Sequence, residues 1–477
     1  SASYNQGSGC FEKMLLTSSA YFLFLVLLFF LYCPLSKWRA AGLGILLFAN
    51  YFFYARWDIA YLALVPLAST IDYAIGLALG RTAQQGRRKA LVTVSILVNL
   101  GLIATLKYTG LFFDTLTGFT GYAMPKPEWA LPLGLSFYCF QALTYTIDIY
   151  RRDAKPTESY LAHLTAVSLF PTTLAGPITR VSDLIRQLEK PAKALTNEDA
   201  GRGFFLIGLG LMKKLLVADY LAENLINRVF DFPALYTGAE TLVAVYAYAF
   251  QLYYDFSGYT DVALGSALLL GLKLPANFNQ PYSAANINDF WRRWHISLSN
   301  WLRDYLYFSL PGKRGAVMPY VNLVITMALG GLWHGASWNF VIWGLLHGAG
   351  QAISRFVQTK RGKAEPRTPA WWRTFWTVQF VCFCWIFFRA PDWTQAMLVL
   401  ERIASLTVAW DNVSVGLWTV LGLAIAGHYA PKSWIDWPRE RFAAAPFYAQ
   451  AVVLLALAIA IKYVAATGAA PFIYTKF

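Results

Sequence analysis

Two histidines occur in segments whose residue types suit proton transfer. His295 lies in the stretch NINDFWRRWHISLSNWLRDYLYFSLP (residues 286–311), and His334 lies in the glycine-rich GGLWHGA (residues 330–336). An ionisable group inside an apolar segment is costly, and a positioned imidazole is the commonest general base. His334 and His295 are therefore candidate catalytic residues. The alternatives are a buried imidazole bonded to one carbonyl for His334 and an interfacial anchor for His295.

The remaining reactive residues predict neither a metal site nor a serine nucleophile. The other three histidines are His163, His347 and His428, and the chain contains no HxxxH spacing, GxSxG elbow, Walker loop or GxGxxG loop. We expect His347 to serve packing and the other two to lie near segment ends. Cys382 and Cys384 differ by two positions, so they face apart on a helix and do not indicate a disulfide framework.

Residues 286–311 are expected to form one helix that positions His295. Its aromatic and leucine residues recur at steps of 3, 4, 3, 4 and 3, which places them on one face of a helix: Trp291, Trp294, Leu298, Trp301, Tyr305 and Phe308. The opposite face carries Arg292, Ser299 and Arg303. Asn288 is a candidate N-cap with Asp289 in the first turn, and Pro311 ends the element. Such a helix lies along a membrane surface more readily than it crosses it.

A third polar group interrupts the apolar run at residues 241–271. Asp255 and Asp261 occur there among hydroxyl-bearing residues, in QLYYDFSGYTD (residues 251–261). Hydrogen-bonded helix packing and the lining of a pore explain these carboxylates equally well. We expect both to pair with arginines of the 286–311 helix, because pairing lowers the cost of burying either charge.

The composition is typical of a polytopic membrane protein. Of 477 residues, 57% are hydrophobic and only 14% are charged, whereas a soluble domain carries about 25% charged residues. The net charge of +14 fits cytoplasmic loops rich in Lys and Arg. We expect no nucleic-acid partner, because no basic run is interleaved with aromatics in a polar segment.

Apolar segments of spanning or near-spanning length recur along the chain, at residues 20–35, 41–55, 59–80, 90–107, 129–150, 203–219, 241–271, 317–334, 337–357, 374–388, 414–428 and 446–466. Basic loops at 36–40, 81–89, 151–158 and 360–373 predict an extracytoplasmic N-terminus. Between 159 and 310, segments broken by proline, glycine or charge predict in-plane or re-entrant helices lining a funnel. Residues 14–477 are expected to form one membrane domain. Residues 1–13 are expected to be an added or disordered N-terminus before a start at Met14.

The two histidine segments resemble the membrane-bound O-acyltransferase (MBOAT) family. The likeness is carried by DFWRRWHISLSNWLRDYLY (residues 289–307) and GGLWHGASWNFVIWG (residues 330–344), with support from LAGPITR (174–180), YYDFSGYTDVALG (253–265) and LPANFNQPY (274–282). It is strongest to the bacterial branch that O-acetylates alginate, cellulose or peptidoglycan. Residues 308–314 depart from the Pro-Leu-Gly-Gly pattern of the alginate branch, which leaves the acceptor open.

The resemblance implies a fold and a reaction. The fold would be all-α, with about eleven transmembrane helices and in-plane helices around a central tunnel. His334 would be the essential histidine and His295 the second, on the cytoplasmic side of a bacterial inner membrane. The donor would be acetyl-CoA or an acyl-carrier thioester, with no permanently bound cofactor. A polysaccharide or an extracytoplasmic partner of the SGNH type would receive the acetyl group.

Candidate substrate-binding residues follow from this reaction. Arg292, Arg293 and Arg303 suit the donor's phosphates, although contact with lipid headgroups explains them equally well. The remaining candidates are Asp289, Trp294, Ser299, Tyr254, Asp255 and Trp333. Two other functions stay open: D-alanyl transfer from a carrier protein to a cell-wall polymer, and a polytopic transporter. The absence of a visible inverted repeat counts against the transporter.

Overall fold

The computed structural model describes residues 14–56, 62–122, 125–127, 132, 134–173, 176–190, 195–312, 315–362 and 368–464. Within these residues the protein consists of helices and their connections, without a β-strand. The prediction of an all-α fold is therefore confirmed. The expectation for residues 1–13 concerns residues outside the described part of the chain.

The first half of the chain contains long apolar helices and then three short ones. The long helices are α1 (Ser19–Leu35), α2 (Arg39–Ala55), α3 (Leu64–Arg81), α4 (Gln85–Ile103), α5 (Thr109–Thr120) and α6 (Leu135–Arg151). A short π-helical segment, Ala104–Tyr108, joins α4 to α5. Such a segment within a helical run is called a π-turn below. The short helices are α7 (Tyr160–Val167), α8 (Phe170–Thr173) and α9 (Val181–Leu188). These short elements fall where proline and glycine predicted broken helices.

The middle of the chain combines one interrupted helix with one very long helix. The interrupted run comprises α10 (Asn197–Leu211), a π-turn (Met212–Ala218), α11 (Asp219–Leu221), a second π-turn (Ala222–Ile226) and α12 (Asn227–Asp231). The long helix is α13 (Gly238–Leu269), which begins with a capping box formed by Thr237 and Glu240. It runs without a break through Asp255 and Asp261, so the predicted interruption there is wrong.

The last part holds the two histidine segments. Its helices are α14 (Ile287–Arg293), α15 (Ile296–Trp301), α16 (Met318–His334), α17 (Trp338–Arg361), α18 (Ala370–Arg389), α19 (Trp393–Ala404), α20 (Val415–Tyr429), α21 (Ser433–Ala444) and α22 (Phe447–Val464). A π-turn, Leu302–Leu306, and a 3-10 turn, Tyr307–Ser309, follow α15.

The single helix predicted over 286–311 is in fact two helices. The chain leaves helical geometry at Trp294, and His295 adopts φ 42° and ψ 55°, in the left-handed region. The side chain of Asn286, not of Asn288, caps the first helix by accepting a hydrogen bond from the Asp289 N–H. The spacing of aromatic residues could not reveal this break, because the same apolar side chains can be buried whether the segment forms one straight helix or two helices joined by a bend.

The aromatic face of this segment is buried within the protein. Trp291, Trp294 and Leu298 are all nearly inaccessible, whereas Phe308 at the end of the predicted stripe is 47% exposed. The tryptophans pack on other aromatic rings, with Trp294 lying 5.2 Å from Phe278 between ring centroids. The apolar face therefore packs against protein, and His295 faces the interior as expected.

Among the described residues, one helical run is long and apolar enough to cross a membrane: Gln85–Thr120, which contains α4 and α5. The same residues contain three shorter apolar helices, at Ser19–Leu35, Val415–Tyr429 and Phe447–Tyr463. The helices coincide with the predicted apolar segments, but the number of spans stays a prediction.

Candidate active site

His334 is the last residue of α16 and is 4% exposed. Aromatic rings surround its imidazole: the ring centroids of Trp333, Trp343 and Phe388 lie 5.0, 5.1 and 5.2 Å from that of His334. Trp343 belongs to α17 and Phe388 to α18. The imidazole is therefore enclosed by three different helices, away from bulk water.

Glycines bring α17 against the helix that carries His334. A Cβ on Gly331 would lie 2.1 Å from the carbonyl oxygen of Phe340, and one on Gly344 would lie 2.3 Å from that of Met327. Neither position can hold a larger residue without moving a backbone. The backbone of α17 therefore lies directly against the part of α16 that leads to His334.

A π-turn from the first half of the chain fixes the end of α16. The Nζ of Lys107 donates hydrogen bonds to the carbonyl oxygens of Trp333 (2.6 Å) and His334 (3.1 Å). The hydroxyl of Tyr108 donates to the carbonyl oxygen of Leu332 at 2.8 Å. These are carbonyls at the end of a helix, which have no partner within the helix itself. Sequence reasoning missed both residues, although a lysine inside an apolar run was an available signal.

His295 is fully buried at the break between α14 and α15. Its Nδ1 lies 3.1 Å from Oδ1 of Asn277. The same oxygen accepts hydrogen bonds from the backbone N–H and the hydroxyl of Ser297, so it acts as an acceptor. Nδ1 of His295 must then carry the proton, and Nε2 carries the lone pair. Asn277 was not among the predicted site residues.

Both imidazoles lie close to a single indole. The ring centroid of Trp333 lies 6.2 Å from that of His295 and 5.0 Å from that of His334. Phe137 of α6 packs on the same indole at 4.9 Å, and Phe256 of α13 packs edge-on to His295 at 4.7 Å. The structure therefore brings His295, Trp333 and His334 together in one aromatic-walled region.

A cavity of about 490 Å³ opens beside α14 and α15. Three arginines line it: the predicted residues Arg292 and Arg303, and Arg355 from α17. Ser299 lines it as well, and none of the described residues that line it is acidic. The cavity thus combines positive charge with an apolar wall, which suits a phosphate-bearing molecule with an apolar or thioester end.

The wall of this arginine cavity reaches towards His334. It includes Met327 and Trp291. Met327 precedes His334 by seven positions on α16, which is about 10 Å along a helix. The Trp291 ring lies 5.7 Å from that of Trp343, the indole that packs on His334. A molecule held by the arginines could therefore extend towards the imidazole.

Three other predicted residues of this segment contribute differently. Arg293 pairs with Asp289 of its own helix, with Nε 3.0 Å from Oδ2. Trp294 is 1% exposed and packs on Phe290 and Trp385. These three residues stabilise α14 and its contact with α18, and they do not line the arginine cavity.

Asp255 belongs to a buried ion cluster. Its Oδ1 lies 2.7 Å from Nζ of Lys214, which also lies 2.7 Å from Oδ1 of Asp219. Asp261 pairs with Lys213 at 2.6 Å. The prediction that Asp255 and Asp261 pair with arginines of the 286–311 segment is therefore wrong. The positive charges come from two lysines of the segment Met212–Ala218.

Tyr254 donates a hydrogen bond to the carbonyl oxygen of Ala424 on α20, at 2.8 Å. Phe256, two positions further along α13, packs on His295. His347 accepts a hydrogen bond from the indole of Trp291 at 3.2 Å, in keeping with the packing role predicted for it. Among the described residues, no group of three or more His, Cys, Asp or Glu side chains is arranged to hold a metal ion.

Comparison with known proteins defines the class. The sequence model of the MBOAT, membrane-bound O-acyltransferase family matches residues 131–390, which include both histidines and Asn277. The chain belongs to this family and is an acyltransferase. The transporter alternative is therefore not retained.

Two of the similar proteins place it in the bacterial O-acetyltransferase branch. A probable alginate O-acetylase AlgI of Azotobacter vinelandii is 36% identical, with 96% of this chain and 99% of the relative covered. A peptidoglycan O-acetyltransferase of Helicobacter pylori is 34% identical over 76% of this chain and 73% of its own length. A teichoic acid D-alanyltransferase of Bacillus subtilis is 30% identical, covering 53% of this chain and 67% of the relative.

Proposed function

We propose that the protein moves an acetyl group from a cytoplasmic thioester donor, through the membrane, to an extracytoplasmic polysaccharide or partner protein. The observation that carries this proposal is the placement of buried His334 next to Trp333 and Trp343, about 10 Å along α16 from the wall of the arginine cavity. Relatives named for alginate and peptidoglycan O-acetylation support a polymer acceptor.

In this proposal His334 is the general base. It takes the proton from the acceptor hydroxyl as the oxygen attacks the thioester carbonyl. A C–O bond forms, the C–S bond breaks, and the departing thiolate takes up a proton. A positioned base contributes about 10²–10⁴-fold to the rate. Alignment of donor and acceptor in a narrow passage adds more, because the encounter becomes effectively unimolecular.

His295 assists from the donor side. With its Nδ1 proton donated to Asn277, its Nε2 can accept a hydrogen bond or a proton. It would position the thioester or relay the proton released at His334. The shared proximity to Trp333 supports this role, because it places both imidazoles near one indole.

The arginine cavity would hold the donor's phosphate groups. Arg292, Arg303 and Arg355 bring positive charge to its lining, and the Nε of Arg303 also pairs with Oδ1 of Asp304 at 2.8 Å. Arg355 lies near the end of α17, just before the basic segment 360–373 that predicts a cytoplasmic loop. A donor from the cytoplasm would therefore meet the arginines first. An extracytoplasmic partner, possessing the polymer-binding surface, would complete the transfer.

Replacement of His334 tests the proposal. His334→Ala protein in membranes supplied with acetyl-CoA should lose acetyl transfer, with protein amount and melting temperature close to the wild type. The matched control is His163→Gln, a second buried histidine on the short helix α7, which should keep activity per folded molecule. Acetyl transfer by His334→Ala at the wild-type rate would exclude His334 as the base.

The D-alanyl alternative is tested by the donor. Similarity to a teichoic acid D-alanyltransferase supports D-alanyl transfer as the alternative reaction. This similarity covers less of the chain than the similarity to the O-acetylases. Membranes should transfer label from acetyl-CoA or an acetylated carrier. Transfer of label only from a D-alanylated carrier protein would replace acetyl transfer with D-alanyl transfer.

A further inference from the structure

Lys107 is connected to the candidate base through the backbone. It lies in the π-turn Ala104–Tyr108, distant in sequence from His334, and its Nζ bonds the carbonyl oxygens of both Trp333 and His334. The adjacent Tyr108 bonds the carbonyl oxygen of Leu332. Two neighbouring residues thus hold three consecutive carbonyls, and the last of these belongs to His334 itself.

Ion pairing does not explain Lys107. No described carboxylate forms an ion pair with its Nζ, and its two described hydrogen bonds go to helix-terminal carbonyls. The side chain is only partly exposed and lies on the apolar run Gln85–Thr120. An ammonium in such a place is costly unless its hydrogen bonds compensate. The compensation here comes from the negative end of the α16 dipole.

The position of the His334 backbone depends on these bonds. The residues that follow, Gly335 and Ala336, have extended or irregular backbone and give the helix end no further turn. Glycine at 335 also permits many backbone conformations. When the last carbonyls of a helix have no partner, they bind water or the end of the helix frays. Fraying at this end would move the imidazole relative to the rings of Trp343 and Phe388.

We propose that Lys107 is a positioning residue for His334, acting with Tyr108 to hold the C-terminal carbonyls of α16 so that the imidazole keeps a reactive orientation. This inference rests on the proposed function, in which His334 is the base. Lys107 acts through the backbone of His334 and makes no contact with the donor in this role. The consequence is a loss of turnover, with donor binding preserved.

The test is a series of substitutions at residue 107. Lys107→Met removes the donors while keeping the length of the side chain, and it should lower kcat by about 10²-fold, the size expected for a displacement of about 1 Å. KM for the thioester should change less than about twofold. Lys107→Gln retains N–H donors and should recover part of kcat. Tyr108→Phe should cause a smaller loss. Lys126→Met, at an exposed lysine that pairs with Asp114, is the matched control and should behave as the wild type.

Several outcomes would overturn the inference. Wild-type kcat per folded molecule in Lys107→Met, or a raised KM with unchanged kcat, would show that Lys107 does not position the base. If Lys107→Met does not accumulate, Lys107→Gln and Tyr108→Phe replace it. Wild-type kcat per folded molecule in both of these variants would then overturn the inference. His334→Ala is measured in parallel. Activity in that variant refutes the proposed base, whereas an inactive His334→Ala with a fully active Lys107→Met refutes only the positioning role.

Discussion

The two histidines are held in different ways, and the difference suits different roles. His334 is fixed through its backbone by Lys107 and is surrounded by rings. His295 is fixed through its side chain by Asn277 and sits at a backbone break with φ 42°. A non-glycine residue in the left-handed region costs about 1–3 kcal/mol and persists where its surroundings enforce it. Asn277 enforces this backbone conformation in two ways. Its side chain bonds the imidazole, and its backbone carbonyl oxygen accepts a hydrogen bond from the N–H of Ile296.

The arginine cavity leads to a prediction about donor affinity. Replacing Arg292, Arg303 or Arg355 with Gln should raise KM for acetyl-CoA about 10–100-fold, since a hydrogen bond to a charged group contributes about 1.5–3 kcal/mol. The kcat should change little, because the arginines lie away from the reacting atoms. Initial rates over a range of acetyl-CoA concentrations measure both constants.

Arg186 provides the control for these three variants. It is an exposed arginine of α9 that pairs with Asp183 within the same helix. Arg186→Gln should leave KM for acetyl-CoA unchanged. Equal effects at Arg186 and Arg355 would mean that the arginines attract the donor only through the overall charge of the surface. An unchanged KM in all three cavity variants would remove the donor from this cavity.

At the level of helices, the sequence predicted the identity of the elements better than their breaks. The apolar segments at 317–334 and 337–357 correspond to α16 and α17 within a few residues, because long apolar runs and flanking glycines mark helices well. The break at His295 and the π-turn at Ala104–Tyr108 were not predicted. Both depend on distant partners, Asn277 and the end of α16, which local periodicity does not contain.

The candidate site was predicted in the same uneven way. His295 and His334 could be selected because imidazoles are rare in the chain and lie in apolar segments. Trp343 and Asn277 could not be singled out, because their contacts with the histidines depend on the packing of distant segments. Lys107 carried a signal as a lysine inside an apolar run, but only the fold shows that it bonds the end of α16. Asp255 was ambiguous in the sequence, and only the fold shows that Lys214 neutralises it.

The contact between α16 and α17 leads to a stability prediction. Gly344→Ala should lower the melting temperature, because its Cβ would lie 2.3 Å from the carbonyl oxygen of Met327. Overpacking of this kind costs about 1–3 kcal/mol. Gly422→Ala on α20 is the matched control: nothing lies within 4 Å of its Cβ, and alanine is the better helix former by about 1 kcal/mol. Melting curves of the purified proteins should place Gly344→Ala below and Gly422→Ala at or above the wild type. The reverse order would contradict the close packing.

At the scale of the molecule, the described buried charges in the middle of the chain are compensated by one another. Lys214, Asp219 and Asp255 are each at most 3% exposed in their side chains and form one cluster that joins α13 to the π-turn Met212–Ala218. Removing one partner of a buried ion pair typically costs about 3–5 kcal/mol. This cluster therefore accounts for the polar residues in the middle of the chain as structural elements. The arginine cavity and the two histidines are left as the groups that we propose to serve the substrate.

The proposed transfer requires a passage with two openings, so that a donor from the arginine side and an acceptor from the other side meet at His334. Sealed vesicles of defined orientation test this most directly, with labelled acetyl-CoA on the face that carries the 360–373 loop and the acceptor polymer or partner in the opposite compartment. We expect label on the acceptor without leakage of acetyl-CoA, and no label with His334→Ala. Label that appears only when donor and acceptor share one compartment would contradict it.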